Sequence, residues 1–311
     1  MNRVQRKYPF WTILGPLAAY WIVQFIAEVA AIAAVQLPYM LTAYEETFLG
    51  DQQYASMQEA MEGYMNAMAP AMDAAMRYSV EIAGIAALCT IPVMCFFFRR
   101  DSKLREKCGV PAPVKAAASN YWTVVVFGLI VSIGSSCLAA MAELAFADPS
   151  YQQVSETAYS ASFLVQFAVL GIVMPLAEEL LFRGVIFRRY MENRSFWYSA
   201  VWSSLFFSLM HTSRTQMIYT FLLGLMLCWV YRRFGSFLAP VALHMAANIG
   251  SILFTKIGVF GWLGSSPLRM AGASIASAFF CSAVFVFIMN HIGESEKKEE
   301  SEDNHPMNMF R

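Results

Sequence analysis

SASFLVQFAVLGIVMPLAEELLFRG, residues 160–184, is long enough to cross a lipid bilayer as a helix, yet it contains two carboxylates and a guanidinium. Crossing the hydrocarbon takes about 20 predominantly apolar residues in helical conformation. A charged side chain held there costs about 3 kcal/mol unless it is paired or hydrated. The stretch therefore predicts a transmembrane helix whose charged residues, Glu178, Glu179 and Arg183, have partners or a chemical role.

The composition of the whole chain indicates a membrane protein. Of its 311 residues, 58% are hydrophobic and 14% are charged, whereas soluble domains have about 25% charged residues. We predict an all-α, polytopic protein of the cell membrane with about eight transmembrane helices. The predicted spans are Trp11–Gln36, Ser79–Phe98, Asn120–Ala142, Ser160–Phe182, Phe196–Met210, Met217–Val230, Ser236–Phe254 and Leu268–His291.

The positions of lysine and arginine predict the orientation. The connections after the second, fourth and sixth spans are basic, and so is the segment before the first span. Since basic loops are retained on the cytoplasmic side, we expect both termini in the cytoplasm. These basic residues are Arg3, Arg6, Lys7, Arg99, Arg100, Lys103, Arg105, Lys107, Lys115, Arg188, Arg189, Arg194, Arg232 and Arg233.

The sequence supports neither a nucleic-acid partner nor a cysteine-based disulfide or metal site. The net charge is zero, and basic patches with interleaved aromatic residues do not occur outside the juxtamembrane clusters, so a nucleic-acid partner is not expected. The six cysteines form no CxxC pair, which indicates neither a disulfide framework nor a thiolate metal site.

Three regions are predicted along the chain. Residues 1–150 form a three-span region with an extracytoplasmic Met-rich loop, residues 151–292 form a helical core with nearly all intramembrane polar groups, and residues 293–311 form a charged tail expected to be disordered. In the loop, six methionines between Met57 and Met76 recur at helical spacing, and Pro70 is expected to divide it into two short helices. The methionine face would pack on the protein, lie in the bilayer interface or meet a partner.

The polar residues of the core are expected to meet. If the fourth and fifth spans form a hairpin that turns near residues 193–196, Glu178 and His211 each lie 15 residues from the turn, about 22 Å along their helices. His244 and Asn248 are four residues apart and share one helical face on the seventh span. Phe207 shares a face with His211 in the same way.

The two adjacent glutamates are expected to have different roles. Neighbouring helical residues project about 100° apart, and Glu179 has the spacing that favours an ion pair with Arg183. Glu178 is then the reactive carboxylate. A glutamate beside an imidazole can take a proton from water, and a second imidazole with an amide can stabilise an oxyanion. This set suits hydrolysis of an amide bond.

A metal site is the alternative use of the same residues. Glu178, His211 and His244 match a zinc site that keeps one position open for water. Asn248 is a poor zinc ligand and favours the metal-independent scheme. Both schemes remain open at the level of sequence.

The three motifs EExxxR (residues 178–183), FxxxH (207–211) and HxxxN (244–248) resemble those of the CPBP family, which comprises CAAX prenyl proteases and bacteriocin-processing or immunity proteins and is also called the Abi family. The resemblance implies an intramembrane endopeptidase acting on a membrane-associated or lipidated peptide or protein. It implies that Glu178 and His211 activate water while His244 and Asn248 support the oxyanion. A non-catalytic immunity or scaffold protein and a proton-coupled transporter are the rival interpretations.

Overall fold

The computed structural model describes residues 4, 6, 9–50 and 54–292, and this part of the chain is helical, without strands. The predicted disordered tail and the predicted basic residues Arg3 and Lys7 lie outside the described residues. The helices are α1 (Pro9–Tyr44), α2 (Met57–Ala67), α3 (Ala69–Arg77), α4 (Ser79–Lys107), α5 (Tyr121–Phe146), α6 (Pro149–Ser160), α7 (Phe163–Met191), α8 (Phe196–Leu209), α9 (Arg214–Phe234), α10 (Leu238–Lys256), α11 (Val259–Gly264) and α12 (Pro267–His291).

Seven helices in the described part of the chain are long and apolar enough to cross a membrane, namely α1, α4, α5, α7, α9, α10 and α12. The prediction of an all-α, multi-pass membrane protein is confirmed. The segment predicted as the fifth span is α8, which has 14 residues and is about 21 Å long. The neighbouring α9 has 21 residues, about 31 Å, so α8 ends well short of the far end of α9.

The Met-rich loop forms two short helices, as predicted. The break lies at Met68, and Pro70 occupies the first turn of α3, where its missing N–H would have no helical partner anyway. The methionine side chains point outward: Met57 is 74% exposed and Met76 is 67% exposed. The prediction that this face packs on the protein is therefore wrong. That it lies in the bilayer interface, or that it binds a partner, stays a prediction.

The basic segments meet at one end of the helix bundle. Arg6 forms ion pairs with Glu192 at 2.7 Å and with Asp101 at 3.1 Å, and Arg189 pairs with Asp101 at 2.5 Å. Arg105 lies 3.3 Å from Glu192. The cluster joins the N-terminal segment, α4 and the end of α7. Its position agrees with a single basic face, and the sidedness of that face stays a prediction.

The close approach of α5 to α10 holds one half of the core together. A Cβ atom at Gly128 on α5 would lie 2.5 Å from the carbonyl oxygen of Leu243 and 3.0 Å from the backbone nitrogen of Ala247. Both contacts are with backbone atoms, which cannot rotate away. Glycine is therefore required here for α10 to lie against α5, as expected where helix backbones approach closely in a membrane.

Replacing Gly128 with alanine is expected to destabilise the protein, because α10 must move away from α5. Overpacking of this kind costs about 1–3 kcal/mol, so the melting temperature of the purified protein in detergent should fall. The matched control is Gly272→Ala on α12, where an added Cβ meets nothing within 4 Å. Equal melting temperatures for the two variants would contradict the assigned packing.

Candidate active site

The carboxylate of Glu179 links two membrane helices. Its side chain is fully buried, and Oε1 accepts hydrogen bonds from Arg183 Nη1 at 2.8 Å and from His244 Nδ1 at 2.9 Å. The ion pair with Arg183 along α7 is the one that the four-residue spacing predicts. The bond to His244 on α10 was not predicted, because it joins residues 65 positions apart. Glu179 thereby fixes the orientation of an imidazole as well as balancing a charge.

Arg183 is held on three sides in the protein interior. Its side chain is fully buried, Nη2 donates to the carbonyl oxygen of Gly224 on α9 at 3.1 Å, and the guanidinium carbon lies 4.5 Å from the centre of the Phe207 ring. A Cβ at Gly224 would come within 2.8 Å of Ser204, so α8 and α9 pack too closely there for a larger residue. A guanidinium gains from an aromatic face when both are removed from water.

The Phe207 ring on α8 brings the two histidines together. It meets the His211 ring edge-on at 5.2 Å between centroids and the His244 ring at 5.6 Å. Phe182 packs against the same ring at 5.2 Å. The phenylalanine of the FxxxH motif therefore provides a ring that separates the two imidazoles and packs against the guanidinium of Arg183.

Glu178 is the carboxylate that water can reach. Its side chain is 18% exposed, whereas that of Glu179 is 0% exposed. Glu178 Oε2 lies 3.7 Å from Nε2 of His244, and its charge acts on the His211 ring. The structure thus brings Glu178, His211 and His244 together, as expected from their positions along the predicted helices. His244 lies between the two glutamates.

His211 has one ring nitrogen engaged and one available. Nδ1 lies 3.1 Å from the carbonyl oxygen of Phe207, and since a carbonyl only accepts, Nδ1 carries the proton. Nε2 of the neutral ring is then an acceptor. The four-residue spacing has a local cause: Phe207 lies in the last turn of α8, where its carbonyl oxygen accepts one backbone hydrogen bond, from Met210 at 3.3 Å, and His211 supplies a second donor from just beyond the helix end.

Asn248 is placed differently from the other three predicted residues. Its Nδ2 donates to the carbonyl oxygen of Leu170 on α7 at 2.9 Å. Residues 166–173 of α7 form π-helical turns, in which a carbonyl is bonded by the N–H five residues on. For Leu170 that residue is Pro175, which has no N–H. Asn248 satisfies the carbonyl that proline leaves without a partner and keeps a second amide hydrogen.

The predicted metal ligands do not fit a metal ion as they are arranged. Among the described residues, no group of three or more His, Cys, Asp and Glu side chains is disposed to hold one. Nδ1 of His244 is bonded to Glu179, and its Nε2 faces Glu178. No step of the chemistry below is assigned to a metal.

One residue of the N-terminal region lies near the site, which sequence reasoning did not indicate. Tyr20 on α1 is 4% exposed and belongs to the apolar cluster that contains Ala177. Its hydroxyl is within electrostatic range of Glu178. The only signal in the sequence is a tyrosine inside an apolar span, which is too common to identify a site.

Comparison with known proteins agrees with the motif resemblance. Residues 160–250, which include Glu178, His211, His244 and Asn248, match the family described as "Type II CAAX prenyl endopeptidase Rce1-like". The resemblance to the CPBP family is thereby confirmed for this part of the chain. No solved structure matches the chain.

Three proteins are similar to parts of this chain. YxdF of Lactococcus lactis, a UPF0177 protein, is 33% identical over 28% of this chain and 48% of its own length. YdiL of Bacillus subtilis, named provisionally as a membrane peptidase, is 28% identical over 33% of this chain and 42% of its own length. An uncharacterized 24.3 kDa protein of Escherichia coli is 30% identical over 47% of this chain and 64% of its own length. The chain therefore spans about half the length of these relatives.

Replacing the two adjacent glutamates is expected to have unequal effects on stability. Glu179→Ala leaves Arg183 as a buried charge without a carboxylate, which costs about 3–5 kcal/mol. Glu178→Ala removes a partly hydrated group and should leave the protein folded. The comparison is made by melting temperature and by the yield of monodisperse protein in detergent. Equal destabilisation by the two substitutions would contradict the structural role of Glu179.

Proposed function

From the match of residues 160–250 to the Rce1-like family, we propose that this chain is an intramembrane endopeptidase of the CPBP family. It hydrolyses a peptide bond of a membrane-associated or lipidated peptide or protein in the cell membrane. The observation that carries the proposal is a partly exposed Glu178 beside His244, with His211 on the same aromatic wall.

Activation of water is assigned to Glu178 and His211. A water between the Glu178 carboxylate and Nε2 of His211 would have two acceptors for its protons, which orients an oxygen lone pair for attack on a carbonyl carbon. General-base catalysis of this kind contributes about 10²–10⁴-fold to the rate. The proton taken from water can then pass to the amine that leaves when the C–N bond breaks.

Support of the oxyanion is assigned to His244 and Asn248. Glu179 holds Nδ1 of His244, so that Nε2 points toward the reactive side. A proton on Nε2 would make His244 a hydrogen-bond donor to the oxyanion. The second amide hydrogen of Asn248 is the other candidate donor to the oxyanion.

The proposed mechanism needs no metal, and chelators test this. We expect cleavage of a peptide substrate by purified protein to continue in EDTA or 1,10-phenanthroline, because Glu178 and His211 can take the proton from water without a metal. The measurement is the rate before and after chelation, with metal analysis of the same sample. Loss of activity that zinc restores would contradict the metal-independent scheme.

Glu178→Ala and His211→Ala are expected to lower cleavage by about 10²–10⁴-fold while the protein stays folded in the membrane. The chain offers a matched control in His291→Ala on α12. His291 also follows a phenylalanine by four residues, with Nδ1 2.9 Å from the carbonyl oxygen of Phe287, but it is exposed and remote from Glu178. The measurement is the rate of peptide hydrolysis in proteoliposomes.

The outcomes separate the proposed enzyme from its rivals. Full activity of the Glu178→Ala protein would refute the assignment of the base. Loss of activity in His291→Ala equal to that in His211→Ala would mean that the histidine effects are not specific to the site. A wild-type protein without cleavage that depends on Glu178 would favour the immunity or scaffold interpretation.

A further inference from the structure

A preformed pocket lies beside the catalytic residues, under the short helix α6. Its volume is about 380 Å³, within the range of about 300–1,000 Å³ typical of ligand sites. Val154, Thr157 and Ala158 of α6 form one wall, and Ser79 at the start of α4 forms another. The pocket therefore combines residues of the N-terminal region with residues of the Rce1-like segment.

The pocket adjoins the proposed catalytic residues at three points. Met174 lines it and lies one helical turn before Glu178 on α7, and Thr212 lines it and directly follows His211. Leu170 also lines it, and the carbonyl oxygen of this residue holds Asn248. The pocket therefore lies next to the segments that carry Glu178 and His211.

The lining of the pocket suits an uncharged peptide segment. All residues that line it are uncharged, and they include both small or apolar side chains and groups that can hydrogen-bond. Ser79 Oγ is buried and has no hydrogen-bond partner among the described residues. That oxygen has almost no accessible surface, so hydrogen bonds to the backbone of a bound peptide fall to the side chains of Gln153, Thr157 and Thr212.

Helix α6 is fixed at both of its ends. At the first end, Asp148 accepts hydrogen bonds from the backbone nitrogens of Ser150 at 3.1 Å and Thr215 at 3.2 Å. At the other end, Gln166 Nε2 donates to the carbonyl oxygen of Ala161 at 2.7 Å, and the hydroxyl of Tyr159 lies 3.2 Å from that of Ser251. The pocket is therefore walled by a fixed element and exists before anything binds.

The pocket lies at the end of the bundle opposite the basic cluster. It is lined by the first residues of α4 and by the first half of α7, whereas the ion pairs of the basic cluster involve the last turns of both helices. If the basic face is cytoplasmic, the pocket is on the extracytoplasmic side.

We propose that this pocket binds an uncharged stretch of small and apolar residues next to the bond that is cleaved, and that the substrate enters from the side opposite the basic cluster. The inference rests on the proposed function in calling the neighbouring bond the one cleaved. The binding of the peptide segment itself is independent of hydrolysis.

The test measures binding directly in the full chain, reconstituted in lipid nanodiscs and carrying Glu178→Ala so that nothing is consumed. The probe is an uncharged Ala/Leu/Ser peptide in which one leucine is replaced by its diazirine analogue. After irradiation, the label is expected in α6 and at Met174, as read by mass spectrometry. Introducing Ala158→Trp, which fills the pocket, should reduce labelling by at least about tenfold.

The matched control is Glu156→Trp on the exposed face of α6, which should leave labelling unchanged. Labelling of the pocket supports the inference even if the wild-type protein proves to cleave nothing, so failure of the proposed function is seen separately. Hydrolysis by the wild type with labelling outside the pocket would overturn the inference. So would labelling by a farnesylated peptide but not by the unmodified one, or equal effects of the two tryptophan variants.

Discussion

The structure depends on one carboxylate, that of Glu179, shared between Arg183 and His244 in the interior of the bundle. A carboxylate removed from water is tolerated only when positive charge and hydrogen-bond donors surround it. Arg183 supplies the charge from the same helix, and it in turn needs the carbonyl of Gly224 and the ring of Phe207. Four helices, α7, α8, α9 and α10, are therefore positioned by the requirements of a single buried ion pair.

The same interaction separates the roles of two neighbouring glutamates. Because adjacent residues on a helix face different directions, Glu179 turns into the bundle while Glu178 remains 18% exposed. His244 lies between them and contacts both. Its Nδ1 donates a hydrogen bond to the buried carboxylate of Glu179, and its Nε2 faces the more exposed carboxylate of Glu178. The rigid pair Glu179–Arg183 thus holds His244 in place beside the glutamate that water can reach.

The sequence was sufficient where the physics is local or set by length. Apolar runs predicted the spans, and a four-residue spacing predicted the pair Glu179–Arg183. The sequence was insufficient where a polar group finds its hydrogen-bond partner on a segment distant in the chain. The bond from His244 to Glu179 follows from neither motif alone, and α8, predicted as one of two short spans, has 14 residues, too few for a helix to cross the hydrocarbon. Helix α6 is polar and short, so nothing in its composition marks it as the wall of a pocket.

The irregularity of α7 explains why the site and the pocket adjoin. Pro175 has no N–H, and because the turns before it are π-helical, the carbonyl oxygen that it leaves without a helical partner is that of Leu170. Asn248 supplies the missing donor and so fixes the part of α10 that carries His244 one turn earlier. The same turns carry Leu170 to the wall of the pocket. Pro175 in α7 thereby connects the position of the Asn248 amide to the shape of the adjacent cavity.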